Sequence, residues 1–142
     1  MENPEVAGIF EEIGDLLEIQ RTNPFRIRAY RNAARVIRDL SEPIAKLDNE
    51  RTIEDLPGVG KDLASKIRTI LETGDLPLRH ELQKQVPPDL RKLLNVPGLG
   101  PKRVRSLYQE LNIDSIKKLR KAAREGRIKE VSGFGPRTEE AV

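Results

Sequence analysis

A short motif of glycine and apolar residues occurs twice in full in this chain, in the stretches EDLPGVGKDLASKI and LNVPGLGPKRVRSL. In each stretch a proline precedes the triplet, which is Gly58-Val59-Gly60 in the first and Gly98-Leu99-Gly100 in the second. Glycine permits positive φ and a close approach of other groups to the backbone. The motif therefore predicts a tight turn between two helices, with the apolar middle residue packed between them.

Each triplet is followed within two residues by a lysine or an arginine, and a third triplet starts at Gly133. We expect the second glycine to stand at the start of the next helix, where backbone N–H groups and the helix dipole can hold a phosphate. Such a site would bind a nucleic-acid backbone without reading the bases, and its affinity would fall steeply with salt. A purely structural turn explains one such motif equally well, but the repetition favours binding. A nucleotide-binding loop is excluded because no strand is predicted before the triplets and no P-loop signature is present.

Apolar residues recur at helical spacing along most of the chain and no alternating strand pattern is found, which predicts an all-α fold. The expected helices cover residues 5–19, 24–39, 61–73, 101–111 and 115–125, with a short helix from Ser41. Asn23 is expected to cap the second of these, and Gly74 to end the third in a left-handed conformation. Prolines at positions 77, 87 and 88 mark a boundary. We therefore expect two small helical domains, residues 1–84 and 85–142, each built around one of the turns.

Composition excludes several classes of protein. The chain has no cysteine, so it forms neither disulfides nor thiolate zinc sites, and its single histidine, His80, cannot build a histidine metal cluster. No apolar run approaches the roughly 18 residues of a membrane span, and the acidic N-terminus is unlike a signal peptide. We therefore expect a soluble, cytoplasmic monomer without membrane contact.

Charge is segregated along the sequence. Residues 2–18 carry six acids and no base, residues 21–38 carry six arginines and no acid, and residues 101–129 carry ten bases against three acids. Segregated basic segments are typical of polyanion-binding surfaces. The alternative for the stripe from Arg28 to Arg38 is pairing with the acidic first helix.

The glycine motif resembles the helix-hairpin-helix motif, and the order of parts resembles the N-terminal region of a family X DNA polymerase of the bacterial or archaeal type, related to DNA polymerase beta. The segments that carry this resemblance are PFRIRAYRNAARVIRDL, IEDLPGVGKDLASKIRTILETGDL, LLNVPGLGPKRVRSLYQELNIDSIKKLRKAAREG and VSGFGPRTEEAV. The family implies DNA repair by base excision, in which the first domain holds the 5′-phosphate side of a gap and the second binds the primer strand. The nucleotidyltransferase palm, with its Mg or Mn ions, would follow Val142. We therefore expect a nucleoid-associated fragment of a longer polymerase if the source is prokaryotic.

The motifs and the resemblance together assign DNA contacts to both hairpins and to the start of the second helix. The residues are Phe25, Arg26, Tyr30, Arg31, Gly58, Val59, Gly60, Lys61, Gly98, Leu99, Gly100, Lys102, Arg103 and Arg105. The resemblance also implies a monovalent cation, Na or K, in each hairpin, bound by the backbone carbonyls of Glu54, Leu56 and Val59 and of Leu94, Val96 and Leu99. Core packing is the alternative for Tyr30, and a bound water is the alternative for each cation.

Lys66 falls where lyase members of the family place a Schiff-base nucleophile that removes a 5′-deoxyribose phosphate. That chemistry needs a neutral amine, whereas Asp62 stands four residues earlier, at the spacing of an ordinary helix ion pair. Glu54 and Asp62 also stand where the lyase member has lysines. A lyase acting through Lys66 and a protein-interaction module are the alternatives to DNA binding.

Overall fold

The computed structural model describes residues 1–20, 22–47 and 50–128. Eight α-helices lie in this part of the chain: α1 (Asn3–Ile19), α2 (Pro24–Asp39), α3 (Glu50–Glu54), α4 (Lys61–Thr73), α5 (Pro77–Gln85), α6 (Pro88–Lys92), α7 (Pro101–Leu111) and α8 (Ile116–Arg124). Short 3₁₀ helices cover Ile44–Lys46 and Leu93–Asn95, and no strand occurs among the described residues. The predicted all-α fold is confirmed. The third triplet, Gly133-Phe134-Gly135, lies outside the described residues.

The helix ends follow local sequence signals. The Asn23 side chain accepts a hydrogen bond from the Phe25 N–H over 2.9 Å, as predicted for the cap of α2. Gly74 ends α4 at φ 83°, in the predicted left-handed conformation. The helix expected from Ser41 is only the 3₁₀ turn at Ile44–Lys46. The proline-rich segment contains α5 and α6, which begin at Pro77 and Pro88, because proline fits the first position of a helix, where its missing N–H costs nothing.

The chain divides into two compact units. Of the described residues, the first unit takes 1–17 and 22–82, and the second takes 18–20 and 83–128. The last two residues of α1, Glu18 and Ile19, therefore belong to the second unit, and the boundary within α5 falls after Leu82.

The first unit has a mainly aliphatic core, with two aromatic rings, contributed by α1, α2 and α4. The largest fully buried side chains include Phe10, Ile13, Ile37, Ile67 and Ile70. Tyr30 is also buried, and its ring centroid lies 5.8 Å from that of Phe10. The buried residues of α2 recur every three or four positions and so lie on one face of the helix: Ile27, Tyr30, Ala33, Ala34 and Ile37.

The exposed side of α2 is held to α1 within the first unit by ion pairs. Arg31 contacts Asp15 over 3.5 Å, and Arg38 contacts Glu11 through both carboxylate oxygens. An added Cβ at Gly14 would lie 3.1 Å from Arg31 Cγ, so glycine leaves room for the arginine to cross α1. Burial raises the pKa of Asp15, and the Arg31 guanidinium opposes that shift. Part of the arginine stripe thus pairs with the acidic helix.

The second unit has a smaller core formed by leucines and other aliphatic residues. Leu90, Leu93, Leu107 and Leu119 are nearly inaccessible to solvent. Glu18, the single buried charged residue in the described part of the chain, belongs to this unit and lies 3.4 Å from Arg105 Nη1. The ion pair offsets the free-energy cost of burying the Glu18 carboxylate. In the described part of the chain, no helix has both the length and the apolar character needed to cross a membrane.

Candidate nucleic-acid interface

Two turns of the same geometry lie 40 positions apart in the chain, one in each unit. In the first hairpin (residues 53–64) the Val59 N–H donates to the Leu56 carbonyl over 2.9 Å, and in the second hairpin (residues 93–104) the Leu99 N–H donates to the Val96 carbonyl over 3.0 Å. Gly58 and Gly98 have φ of 76° and 86°, which favours glycine. Each glycine triplet therefore forms the predicted tight turn.

The middle residue of each triplet is buried and anchors the turn. Val59 and Leu99 are 3% and 5% exposed, as expected for side chains that pack between helices. A ligand at either turn would therefore meet these two residues through their backbone atoms.

The second glycine of each triplet is the N-cap of the following helix. The first helical hydrogen bonds run from the Ala64 N–H to the Gly60 carbonyl and from the Val104 N–H to the Gly100 carbonyl, over 2.9 and 3.0 Å. Neither glycine has a side chain to cap the first-turn amides of its helix. Helix geometry leaves such amides without an intrahelical acceptor, at the positive end of the dipole. Each hairpin thus presents a site suited to an anion.

Glycine at these two N-cap positions is not needed for the fold. Gly60 and Gly100 have φ of −96° and −89°, which any residue adopts. A Cβ added at either position would meet no atom within 4 Å. What glycine supplies there is bare backbone that a bulky group can approach closely.

The structure divides the predicted DNA-contacting cations into two sets. Arg26, Lys61 and Lys102 are exposed. The others contact protein groups: Arg31 contacts Asp15, Arg103 Nη1 donates to the Gly98 carbonyl over 2.8 Å, and Arg105 contacts Glu18. The exposed set is available to a ligand, whereas the other three shape the units and their turns.

The start of α2 carries an exposed aromatic ring. Phe25 is 74% exposed, the highest value among the large apolar side chains of the described residues. The Arg28 guanidinium lies 4.8 Å from its ring centroid, and that of Arg26 lies 5.9 Å from the ring of the buried Tyr30. Arg26, Arg28 and Phe25 thus form a cationic and aromatic surface of the first unit.

Lys66, the candidate Schiff-base nucleophile, forms an ion pair on α4. Its Nζ lies 2.6 Å from Asp62 Oδ2, at the spacing expected from the sequence. The Lys66 side chain is 23% exposed, whereas that of Asp62 is 81% exposed. The structure thus holds the amine as the cationic partner of a carboxylate.

Asn32 is a residue of the site that sequence reasoning missed. Its Nδ2 donates to the Pro57 carbonyl over 3.0 Å, and its Oδ1 accepts from Arg35 Nη2 over 2.7 Å. The first contact fastens the first hairpin to α2, and the second, within α2, orients the Asn32 side chain. The available signal was weak: asparagine is disfavoured inside helices, so Asn32 in the middle of α2 suggests a role for its side chain.

Two of the carbonyls predicted to bind a cation take part in the turns. The Leu56 and Val96 carbonyls each accept one turn hydrogen bond, and a carbonyl oxygen keeps a second lone pair. Neutral oxygen ligands of this kind are chemically suited to a hard monovalent ion, so the cation at each hairpin stays a prediction. In the described residues no cluster of three histidine, aspartate or glutamate side chains suits a metal ion.

Comparison with known proteins agrees with this geometry. Residues 1–76 match the family described as Helix-hairpin-helix domain, and residues 90–142 match the SAM-like Helix-hairpin-helix tandem. The whole chain is 30% identical to the DNA polymerase/3'-5' exonuclease PolX of Bacillus subtilis (strain 168), of which it spans 24% of the length. The similar region is the N-terminal part of that protein, which confirms the resemblance predicted from the motifs. The chain belongs to the helix-hairpin-helix domain family.

Proposed function

We propose that this chain binds DNA as a monomer, holding the phosphate backbone at its two hairpins without reading the bases. Support comes from the helix-hairpin-helix matches and from the similarity to a DNA polymerase. The observation that carries the proposal is the bare backbone at Gly60 and Gly100, where glycine has no role in the fold. Backbone amides bind phosphate whatever the base, so affinity should be independent of sequence.

The two hairpins differ in charge next to the proposed phosphate sites. The second residue of α4 is Asp62, whereas the second residue of α7 is Lys102. α7 begins with Pro101, which lacks an N–H, while α4 begins with Lys61. We therefore infer that the first hairpin relies mainly on its amides and the second mainly on its lysine.

The resemblance extends the proposal to gapped DNA in a repair polymerase located in the cytoplasm at the nucleoid. The first unit would hold the 5′-phosphate side of the gap, with Phe25 stacked on a template base, and the second would hold the primer strand. The exposure of Phe25 and its neighbouring arginines supports this assignment. The polymerase activity of the whole protein belongs to the same proposal, because the chain spans 24% of the relative.

Binding is proposed in preference to lyase chemistry and to a protein-interaction role. Lys66 is paired with Asp62, and a protonated amine lacks the lone pair that attacks an aldehyde. The exposed Lys61 and Lys102 beside the bare amides favour a polyanion over a protein surface. A Na or K ion at each hairpin, on the carbonyls of residues 54, 56 and 59 and of 94, 96 and 99, would add positive charge where the phosphate binds.

The experiment measures fluorescence anisotropy of a gapped duplex with a 5′-phosphate. We expect binding that weakens steeply with salt. Gly60→Leu should lower affinity roughly tenfold, because the leucine covers the amides on which the first hairpin mainly relies while the backbone conformation remains allowed. Gly100→Leu should lower affinity by a smaller factor, because the second hairpin relies mainly on Lys102. Gly8→Leu is the control, since Gly8 also has open space around its Cα. Salt-insensitive binding, or unchanged affinity in both hairpin variants, would defeat the proposal.

A further inference from the structure

Helix α8 of the second unit differs from the other helices in its exposed residues. Every exposed side chain of α8 is a lysine or an arginine, and these form the α8 basic face: Lys117, Lys118, Arg120, Lys121 and Arg124. Leu119 and Ala122 on the opposite side are 1% and 2% exposed. The helix is thus fastened to its unit by an apolar stripe and presents a single sign of charge.

Few acids compensate this charge. Lys118 pairs with Asp114 over 2.9 Å, and Arg127, just after the helix, lies 3.5 Å from Glu125. Within the described residues, Lys117, Arg120 and Lys121 form no ion pair with an acid. Ordinary solvated surfaces mix both signs, and like charges three or four residues apart destabilise a helix. The α8 basic face therefore carries an electrostatic cost that a polyanion would relieve.

The surface beside this helix is concave. A cavity of about 240 Å³ is lined by Lys118, Lys121 and Arg127, with apolar walls from Leu111, Ile113 and Ala122. A cleft with charges of one sign and low-dielectric walls concentrates the electrostatic potential. The positive potential should therefore be strongest where the α8 basic face meets this cavity.

We propose that the α8 basic face is an additional binding surface for the phosphate backbone of double-stranded DNA, separate from the second hairpin; this inference rests on the proposed function. Lys117, Lys121 and Arg124 lie four and three residues apart, so they share one side of the helix. At 1.5 Å per residue they extend over roughly 10 Å, the axial length of about three phosphates along one strand of a duplex.

Other partners fit this surface less well. Single-stranded DNA is held by aromatic stacking as well as charge, and α8 contains no aromatic residue. Protein interfaces are depleted in lysine, whereas three of the five exposed cations here are lysines. A helix that lies on a membrane needs a free apolar face, and here that face is buried in the unit.

The test compares two triple variants of the 142-residue chain. The first carries Lys117→Gln, Lys121→Gln and Arg124→Gln; the control carries Lys46→Gln, Lys84→Gln and Lys92→Gln, which removes three exposed positive charges elsewhere. Circular dichroism checks that both variants are folded. Affinity for a blunt duplex is measured as a function of salt, and each lost phosphate contact should reduce the log–log slope by ~0.9.

We expect the α8 triple variant to reduce the slope by about 2.7, three times the ~0.9 per contact, and the control to leave it within about 1 of the native value. Equal slopes for the two variants would overturn the inference while leaving the hairpin proposal intact. If the α8 triple variant lost affinity only for a single-stranded oligonucleotide, the assignment of this surface to duplex DNA would be overturned. If the same three substitutions weakened the binding of polyglutamate as much as the binding of DNA, the inference would be overturned in favour of an acidic protein as the partner. Absence of DNA binding by the native chain would defeat the proposed function itself.

Discussion

The side chain of Asn32 in α2 lies so close to Gly58 in the first hairpin that no Cβ fits at position 58. Asn32 Nδ2 donates to the Pro57 carbonyl over 3.0 Å, and a Cβ added at Gly58 would lie 2.1 Å from that same nitrogen. The first hairpin is fastened to α2 at the one point where only glycine leaves space. Gly98 has the same left-handed backbone in the second hairpin, but a Cβ there would meet nothing within 4 Å.

This difference predicts unequal costs for the same substitution. Gly98→Ala should lower the free energy of unfolding by about 1 kcal/mol through backbone strain alone. Gly58→Ala should lower it by about 2–3 kcal/mol, because the methyl also displaces the Asn32 hydrogen bond. Urea unfolding followed by circular dichroism measures both. In a background of Asn32→Ala the cost of Gly58→Ala should shrink toward that of Gly98→Ala; equal costs in the native background would contradict the steric account.

Removal of the charge of Asp62 should tighten DNA binding. Asp62 lies in the first turn of α4, where its carboxylate repels a phosphate at the neighbouring amides. Asp62→Asn should raise affinity roughly threefold at low salt, since the charge is exposed and screened. The same change should lower the free energy of unfolding by about 0.5 kcal/mol, because an acid in the first turn favours the helix.

The equivalent position of the second hairpin, Lys102, allows the opposite change of charge. Lys102→Asp places an acid at the equivalent position of α7 and should weaken binding more than Lys102→Asn does. Anisotropy titrations in parallel report all three variants. Weaker binding by Asp62→Asn would argue against a phosphate site at the start of α4.

Lys66 should not trap an abasic substrate. The Lys66 Nζ lies 2.6 Å from the Asp62 carboxylate, and this contact must break before the nitrogen can attack an aldehyde to form a Schiff base. We expect borohydride treatment with a 5′-deoxyribose phosphate substrate to give no covalent adduct with the native chain. An adduct that disappears in Lys66→Ala would contradict this prediction, and one that survives that change would come from another amine.

Asp75 should stabilise the fold at neutral pH and lose this contribution in acid. Hydrogen bonds from Arg79, at 2.8 and 2.9 Å, hold the pKa of Asp75 well below its ordinary value of 3.8, and the Leu76 N–H adds to this effect. Because the folded pKa is the lower one, the carboxylate stabilises the fold above about pH 4 and loses that contribution as the pH falls. Asp75→Asn should therefore cost about 1 kcal/mol at pH 7 and progressively less below pH ~4.

Asp15 is the comparator for this measurement because its shift has the opposite sign. Burial raises the pKa of Asp15, so its contribution to stability improves as the pH falls and the carboxyl becomes protonated. The stability difference between the native chain and Asp15→Asn should consequently change in the opposite direction to that of Asp75→Asn. Parallel trends in urea unfolding from pH 3 to 7 would show that the Arg79 contacts do not control the acid response.

Local sequence was sufficient for five of the eight described helices, α1, α2, α4, α7 and α8, and for the shape of the candidate site. The Asn23 cap, the left-handed Gly74 and the two glycine turns depend on groups only a few residues apart. Proline and glycine limit φ directly, so their positions predict turns and helix ends wherever the rest of the chain lies. The bare amides at Gly60 and Gly100 follow from the same local rules.

Only the tertiary structure decided which cations remain for a ligand. Arg105 contacts Glu18 across 87 positions, and Asn32 fastens Pro57 across 25. Arg31 and Arg103 resemble Arg26 and Lys102 in sequence, yet the fold gives the first pair protein acceptors and leaves the second pair exposed. For Arg31 and Arg105 the acceptor is distant in sequence, so the partner depends on which acid the packing of the apolar faces brings within reach.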